Sequence, residues 1–173
     1  MMVSLKRTIA QTIAGAIGAA RIFAPPKRGL RVLMYHAVES PADGDKLGLY
    51  TIGAARFEQQ VSALHALAPD SVTDLVSGIG RDDRLRIAVT FDDGYSDNLR
   101  RAAPFLQKLG VPFTVFVCSD FVRNQRAHFL TVGELRELAT VPGATIGSHG
   151  STHRPLTRLD DATLVAELAE LPK

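Results

Sequence analysis

The sequence predicts an α/β fold built on a parallel sheet. Two observations carry that reading. Four short apolar runs, at residues 31–36, 86–91, 113–118 and 144–147, alternate with segments whose apolar residues recur every three or four positions. The runs are also close to continuously apolar rather than alternating, the pattern of strands covered on both faces by helices. A chain of 173 residues suits one domain, long enough to bury a core without disulfides. Hydrophobic residues at 46% and charged residues at 22% are ordinary globular values and exclude disorder over most of the length. With a net charge of +2 and scattered Lys and Arg, no nucleic-acid partner is expected.

The N-terminal segment supports three readings. Lys6 and Arg7 precede an apolar stretch reaching Arg21, and Ala14-Gly15-Ala16 offers a small-x-small site as in a signal peptide. Gln11 and Thr12 interrupt the stretch, which falls short of the ~20 residues that span a bilayer. Leu5, Ile9, Ile13 and Ile17 recur every fourth residue and form one stripe with basic flanks. That stripe fits an interfacial helix associated with a membrane surface, or a helix docked on the protein's own surface. Pro25 and Pro26 stop any helix. The chain therefore divides into a leader at residues 1–29 and a folded domain at 30–173.

Within the domain, residues 31–36 read as a buried strand and residues 40–50, rich in Gly and Asp, as a loop. Phe57, Val61, Leu64 and Ala68 share one helical face, and Arg56, Glu58 and Gln59 lie off it. A helical turn at 72–76 and a loop at 78–83 lead into the second strand, 86–91. Leu99, Ala103, Leu106 and Leu109 form the stripe of the next helix, closed by Gly110 and Pro112. The third strand, 113–118, is β-branched and aromatic through its centre. Its Cys118 is the chain's single cysteine, which rules out an internal disulfide and reads as a buried, inert thiol. Thr131 and Glu134 have capping-box spacing and open a helix through Leu138. The fourth strand, 144–147, is followed by a last helix capped by Asp160 or Asp161 and bearing Leu164 and Leu168.

Two clusters carry chemistry. Asp92 and Asp93 end the second strand, and His149 and His153 follow the fourth. Parallel sheets gather ligands at the C-terminal ends of their strands, so the two clusters are expected to meet. A catalytic zinc commonly takes three protein ligands and leaves one position for a water of pKa ~7. Asp93, His149 and His153 supply three such ligands, which leaves Asp92 free to act as a base. Gly94 permits an unusual dihedral beside the acids. The two histidines share one face if residues 149–153 form a helical turn, while Gly150 equally suits a loop. Taken singly, an Asp-Asp-Gly is also an ordinary turn and a His-x-x-x-His also a surface or core pair. His36 ends a strand and reads as a core or rim histidine or as one facing the same mouth, and Tyr95 as a sugar-stacking ring or a turn closer. His65 and His128 have no assigned chemistry. Ser148, Ser151 and Thr152 lack the geometry of a Ser-His nucleophile.

Thr90-Phe91-Asp92-Asp93-Gly94-Tyr95 and Ser148-His149-Gly150-Ser151-Thr152-His153 resemble the first two motifs of the polysaccharide deacetylases, carbohydrate esterase family 4, relatives of the chitooligosaccharide deacetylases. Met34-Tyr35-His36-Ala37-Val38 and residues 104–117 are in the same family's style, and the resemblance spans residues 32–168. It implies a distorted (β/α) barrel and metal-dependent hydrolysis, usually with zinc. It further implies Asp92 as general base and Asp93, His149 and His153 as ligands. The substrate it implies is an acetylated polysaccharide or oligosaccharide, cleaved at an N-acetyl or sometimes an O-acetyl group. The family's later motifs, an Arg and Pro-Tyr groove, an orienting Asp and a Leu-x-His general acid, have no counterpart in the residues after His153. The expectation is therefore a partial barrel lacking its C-terminal strands, a truncated deacetylase weakly active or inactive alone. Two other functions remain open from sequence: a non-catalytic metal- or sugar-binding remnant, and a membrane-surface or partner-binding protein.

Overall fold

The computed structural model of the chain describes residues 28–42, 44–81 and 83–169. The expected leader helix, with its stripe from Leu5 to Ile17, lies outside the described residues. Strands β1 (Gly29–Tyr35), β4 (Leu85–Phe91), β5 (Phe113–Val117) and β6 (Ala144–Ser148) match the four apolar runs to within one or two residues at each end. They form one sheet in the order β1-β4-β5-β6, every pair parallel. Strands β2 (Ala37–Val38) and β3 (Thr51–Ile52) make a separate two-residue parallel pair that the sequence pattern does not announce.

Helices follow the strands on one face. Helix α1 (Ala54–Leu67) seats Phe57 and Val61 in the core through the predicted stripe, with Leu64 packed at its edge. Rings run on from there across three strands. Tyr35 meets Phe57 edge-on at 5.1 Å, Phe57 lies 5.8 Å from Phe91, and Phe91 meets Phe113 edge-on at 6.0 Å. Such pairs each add about 0.5–1.5 kcal/mol beyond the area they bury. Val89, Val115 and Val117 complete the strand side of this core, and Leu106 of α3 (Ala103–Lys108) and Leu138 of α5 (Val132–Thr140) its helix side.

The opposite face corrects one expectation, that the strands are covered on both sides. Ala88, Thr90 and Thr114 are buried there, but Val32 and Met34 are 46% and 58% exposed. Among the described residues β1 pairs with β4 alone, so its outward side chains have a strand neighbour there on one side. Small residues in the middle of the sheet are shielded by their neighbours, and larger ones at its margin are not.

Local signals explain the helix ends. Thr131 and Glu134 form the predicted capping box: Glu134 N donates to Thr131 Oγ1 at 3.2 Å and Thr131 N to Glu134 Oε2 at 2.9 Å. Asp160, rather than Asp161, caps α6 (Asp161–Ala169), accepting from Thr163 N at 2.8 Å. The turn expected at 72–76 lies instead at α2 (Leu75–Gly78), where Asp74 accepts from Ser77 N at 2.9 Å. Val72 and Thr73 are drawn into extended geometry because Thr73 N donates to Ile87 O at 3.0 Å. The helix expected over 99–109 starts as a π-helical turn, Asn98–Ala102, before continuing as α3. A short helix α4 (Ser119–Arg123) follows β5 unannounced. Among the described residues no helix is long and apolar enough to cross a membrane.

The π-helical turn has a role in the architecture. Asp97 Oδ2 accepts from Val38 N and Ser40 N, both at 2.9 Å, and Asn98 Nδ2 donates to His36 O at 2.8 Å. Both side chains are buried, so residues 36–40 are strapped across the end of the sheet. Leu106→Ala, at a fully buried α3 position, is expected to cost about 2–5 kcal/mol by urea denaturation. Val76→Ala, at a 70% exposed position, stays within about 0.5 kcal/mol of the parent.

Candidate metal centre

Each half of the site is one further rung on the sheet's hydrogen-bond ladder. Asp92 N donates to Tyr35 O at 2.9 Å, continuing the β1–β4 pairing past Phe91. His149 N donates to Val117 O at 2.9 Å, continuing the β5–β6 pairing past Ser148. Immediately beyond the first rung the chain turns through two left-handed residues, Asp93 at φ 73° and Gly94 at φ 79°. That conformation costs a non-glycine residue roughly 1–2 kcal/mol, so the surroundings must enforce it at Asp93. Gly94 O accepts from Leu130 N at 2.9 Å, and Ser96 N donates to His128 O at 2.8 Å. A Cβ on Gly94 would come within 3.1 Å of the Val117 side chain, which adds a steric reason for glycine there. Tyr95 is only 2% exposed and stacks 4.5 Å from Phe129, so it closes the turn and offers no face to a sugar.

The histidine half is a loop, not a helical turn. Gly150 O accepts from Ser119 N at 3.2 Å and Ser151 O from Asp120 N at 3.0 Å, which docks the loop on the first turn of α4. Ser151 Oγ also donates to Asp120 Oδ1 at 3.2 Å. Helix α6 holds the loop from its other side. Thr152 N and Thr152 Oγ1 donate to the two oxygens of Glu167 at 2.6 and 2.7 Å. Glu167 is 4% exposed, while Leu168, expected on the helix's apolar stripe, is 52% exposed. Burial opposes ionisation of Glu167, but its bonds to Thr152 prevail and hold the carboxyl below its ordinary value. A Cβ on Gly150 would sit 2.8 Å from Glu167 Oε1. Glycine at 150 and glutamate at 167 are therefore parts of one fitting. His153 closes the loop at φ 61°.

The result is a convergence of three side chains. Asp93 Oδ1 lies 3.3 Å from His149 Nε2 and 3.1 Å from His153 Nε2, and ligand atoms of all three residues fall within 4.8 Å of one another. Asp93 Oδ1 is buried, and apart from these two imidazole nitrogens it has no polar partner. Ligands 2.0–2.1 Å from a tetrahedral ion stand about 3.3–3.4 Å apart. The spacing, the donor types and the unsatisfied oxygen all fit an ion, and the cluster can hold a metal.

Burial opposes ionisation of Asp93, but His149 and His153 outweigh it and hold the carboxyl well below the usual carboxylate range. Asp93 in turn raises His153 above an ordinary imidazole, with burial working the other way. Asp92 moves in the opposite direction from its neighbour. Burial pushes it up, the charges of His149 and His36 partly offset the rise, and Asp93 adds to it. Two adjacent carboxyls are thus driven apart in basicity. Cys118 is fully buried, with Sγ 3.5 Å from His149 O, and burial together with the charges of Asp93 and Glu167 pushes its thiol up to about 12. It is an inert thiol under the loop.

Comparison with known proteins adds family membership. The sequence profile of the polysaccharide deacetylases matches residues 80–172, a stretch containing Asp92, Asp93, His149, His153 and Glu167. The chain belongs to the polysaccharide deacetylase family. A family member, YxkH of Bacillus subtilis, is 30% identical over 149 residues, 83% of this chain and 50% of its own. The crystal structure of BC0361, a polysaccharide deacetylase from Bacillus cereus, superposes with a TM-score of 0.66 at 26% identity, over 83% of this chain and 45% of that one. BA0330 from Bacillus anthracis gives the same TM-score and coverage at 25% identity. The four parallel strands are thus part of the deacetylases' distorted (β/α) barrel. The chain spans about half the length of these relatives.

Sequence reasoning named Asp92, Asp93, His149 and His153, and the structure brings them to one edge. It missed Glu167, which has no local signal because its partner is fifteen residues away on a separate loop. It also missed the Asp97–Asn98 pair that fixes His36. Glu167→Ala is expected to weaken binding of a divalent ion, titrated as zinc, by about 10–100-fold, with Glu167→Gln recovering part of the loss.

Proposed function

We propose that this chain carries the catalytic metal centre of a zinc-dependent hydrolase that removes acetyl groups from an N-acetylated or O-acetylated polysaccharide. Asp93, His149 and His153 are the ligands and Asp92 is the general base. The observation that supports this reading best is Asp93 Oδ1, buried without a hydrogen bond and facing two imidazole nitrogens at 3.1 and 3.3 Å. Two nitrogens and one carboxylate oxygen form a ligand set suited to zinc with a position left open. Zinc bound there supplies a Lewis acid for the acetyl carbonyl and brings water towards a pKa of about 7.

The chain's own groups account for the rest. Asp93 is held ionised by its two neighbours and is committed to the ligand cluster. Asp92, fixed one position earlier by its backbone bond to Tyr35, stays outside that cluster. Its raised pKa makes it a stronger proton acceptor than an ordinary aspartate, so a carboxylate oxygen takes the proton of the attacking water. An open cleft of about 450 Å³ bordered by His149, His153, Pro155 and Leu156 gives a substrate access from solvent. An acetylated polysaccharide as substrate is supported by family membership and by the relatives' descriptions as polysaccharide deacetylases.

Asp92→Asn is expected to lower hydrolysis of acetylated oligosaccharides by about 10²–10⁴-fold while leaving zinc affinity nearly intact, and His149→Ala to lose both. A parent protein that binds no zinc, or whose zinc binding survives His149→Ala, would overturn the proposal. Ligation requires unprotonated imidazole, and Asp93 raises the pKa of His153. Zinc affinity should therefore climb as pH rises past the ordinary imidazole value of about 6.5 and level off only above the raised value of His153. Zinc titrations across that range that come out flat count against His153 as a ligand.

A further inference from the structure

At the C-terminal edge of the sheet, β1 ends beside β4, so His36 follows β1 one strand spacing, about 5 Å, from the segment bearing Asp92. The strand order places the acids between His36 on one side and His149 on the other. Sequence reading left residues 40–50 as a loop and His36 as a core or rim histidine. The structure shows a built surface there instead. Both oxygens of Asp45 accept backbone N–H groups, from Leu49 and Tyr50, each at 2.8 Å. Tyr50 O accepts from Ala37 N at 3.0 Å, and Thr51 Oγ1 ties Ala42 N and Ser40 O at 3.0 Å each. His36 is fixed through its carbonyl by Asn98. On this frame the Tyr50 ring lies against the His36 ring, centroids 4.7 Å apart.

What the frame holds in place is an apolar surface open to water. Tyr50, Leu49 and Met34 are 47%, 49% and 58% exposed around a cleft of about 210 Å³ that His36 also lines. The chain has no tryptophan, and of its three tyrosines Tyr95 is buried and Tyr35 is packed against Phe57 and Phe91. Tyr50 is the exposed one. Isolated exposed apolar side chains are ordinary, but Tyr50 and Leu49 share a cleft with His36 and sit on a hydrogen-bonded loop. Rigid aromatic faces favour ligands that present polarised C–H bonds, because the π face is electron-rich. A pyranose ring has such a face, with hydroxyls at its rim for water.

We propose that Tyr50, braced by His36, is a binding platform for a sugar ring of the polymer next to the one whose acetyl group reacts. The inference rests on the polysaccharide reading above and adds the direction of the chain. The polymer runs from the metal centre across Asp92 towards β1, and specificity for polymer over monosaccharide is set on that side.

The test compares the parent protein, Tyr50→Ala and Tyr50→Phe, all zinc-free so that no turnover occurs. Dissociation constants are measured for N-acetylglucosamine hexamers of β-1,4 and β-1,6 linkage and for an acetylated xylo-oligosaccharide. Tyr50→Ala is expected to weaken the best-bound hexamer about tenfold, and Tyr50→Phe, which keeps the ring, to stay within about twofold. In the parent, the Tyr50 ring resonances should shift on saccharide addition, a readout independent of whether the alanine variant folds. Tyr50→Ala binding as tightly as the parent, or unshifted Tyr50 resonances in a saccharide-bound parent, would overturn the inference and leave the deacetylase reading standing if the zinc-loaded parent hydrolyses the same saccharides. A parent that binds neither zinc nor any of these saccharides brings down both.

Discussion

Two backbone hydrogen bonds, Asp92 N to Tyr35 O and His149 N to Val117 O, are the constraint from which the site's geometry follows. Each is the rung just past the end of a paired strand, so parallel pairing itself sets where the acids and the first imidazole leave the sheet. All four main strands run the same way, and their C-terminal ends therefore share one edge. The aromatic chain from Tyr35 through Phe57 and Phe91 to Phe113 locks that edge from below. Displacement of β4 relative to β5 would carry the acids away from the histidines and break core contacts at once. The core and the site are mechanically one object.

Past those rungs the backbone leaves regular structure in a controlled way. Asp93 and His153 both adopt left-handed geometry, a cost that isolated peptide would avoid. The acid turn is held by Leu130 and His128, the histidine loop by Asp120 and Glu167. These braces come from three different segments, so strain at the centre is spread over bonds to several neighbours. Pre-organisation of this kind gathers one carboxylate oxygen and two imidazole nitrogens at the spacing of ligands around an ion before any ion is bound.

The fold was legible where the sequence states its physics locally. The four strand runs, the α1 stripe and the Thr131–Glu134 box are visible because each rests on a period or a spacing of a few residues. The acids and histidines were legible because their chemistry is unusual in combination and both follow strands. What sequence pattern did not disclose is long-range and polar. Glu167 looks like any helix-surface glutamate until Thr152 is placed beside it, and Asp97 and Asn98 look like ordinary helix-starting residues until residues 36–40 cross over them. The half-exposed face of β1 was misread for a related reason, since apolar composition reports what a strand tolerates and not which neighbours it has.

The π-helical turn at Asn98–Ala102 carries a consequence for how chain length is conserved. A π turn holds one residue more than the α turn it replaces. Both close about one full turn, so removing one residue between Leu99 and Ala102 would restore α geometry and leave the elements on either side in nearly the same orientation. Asp97 and Asn98 would then still reach the backbone groups of His36, Val38 and Ser40. A one-residue gap there, between two otherwise similar chains, is compatible with an intact strap at the edge of the site.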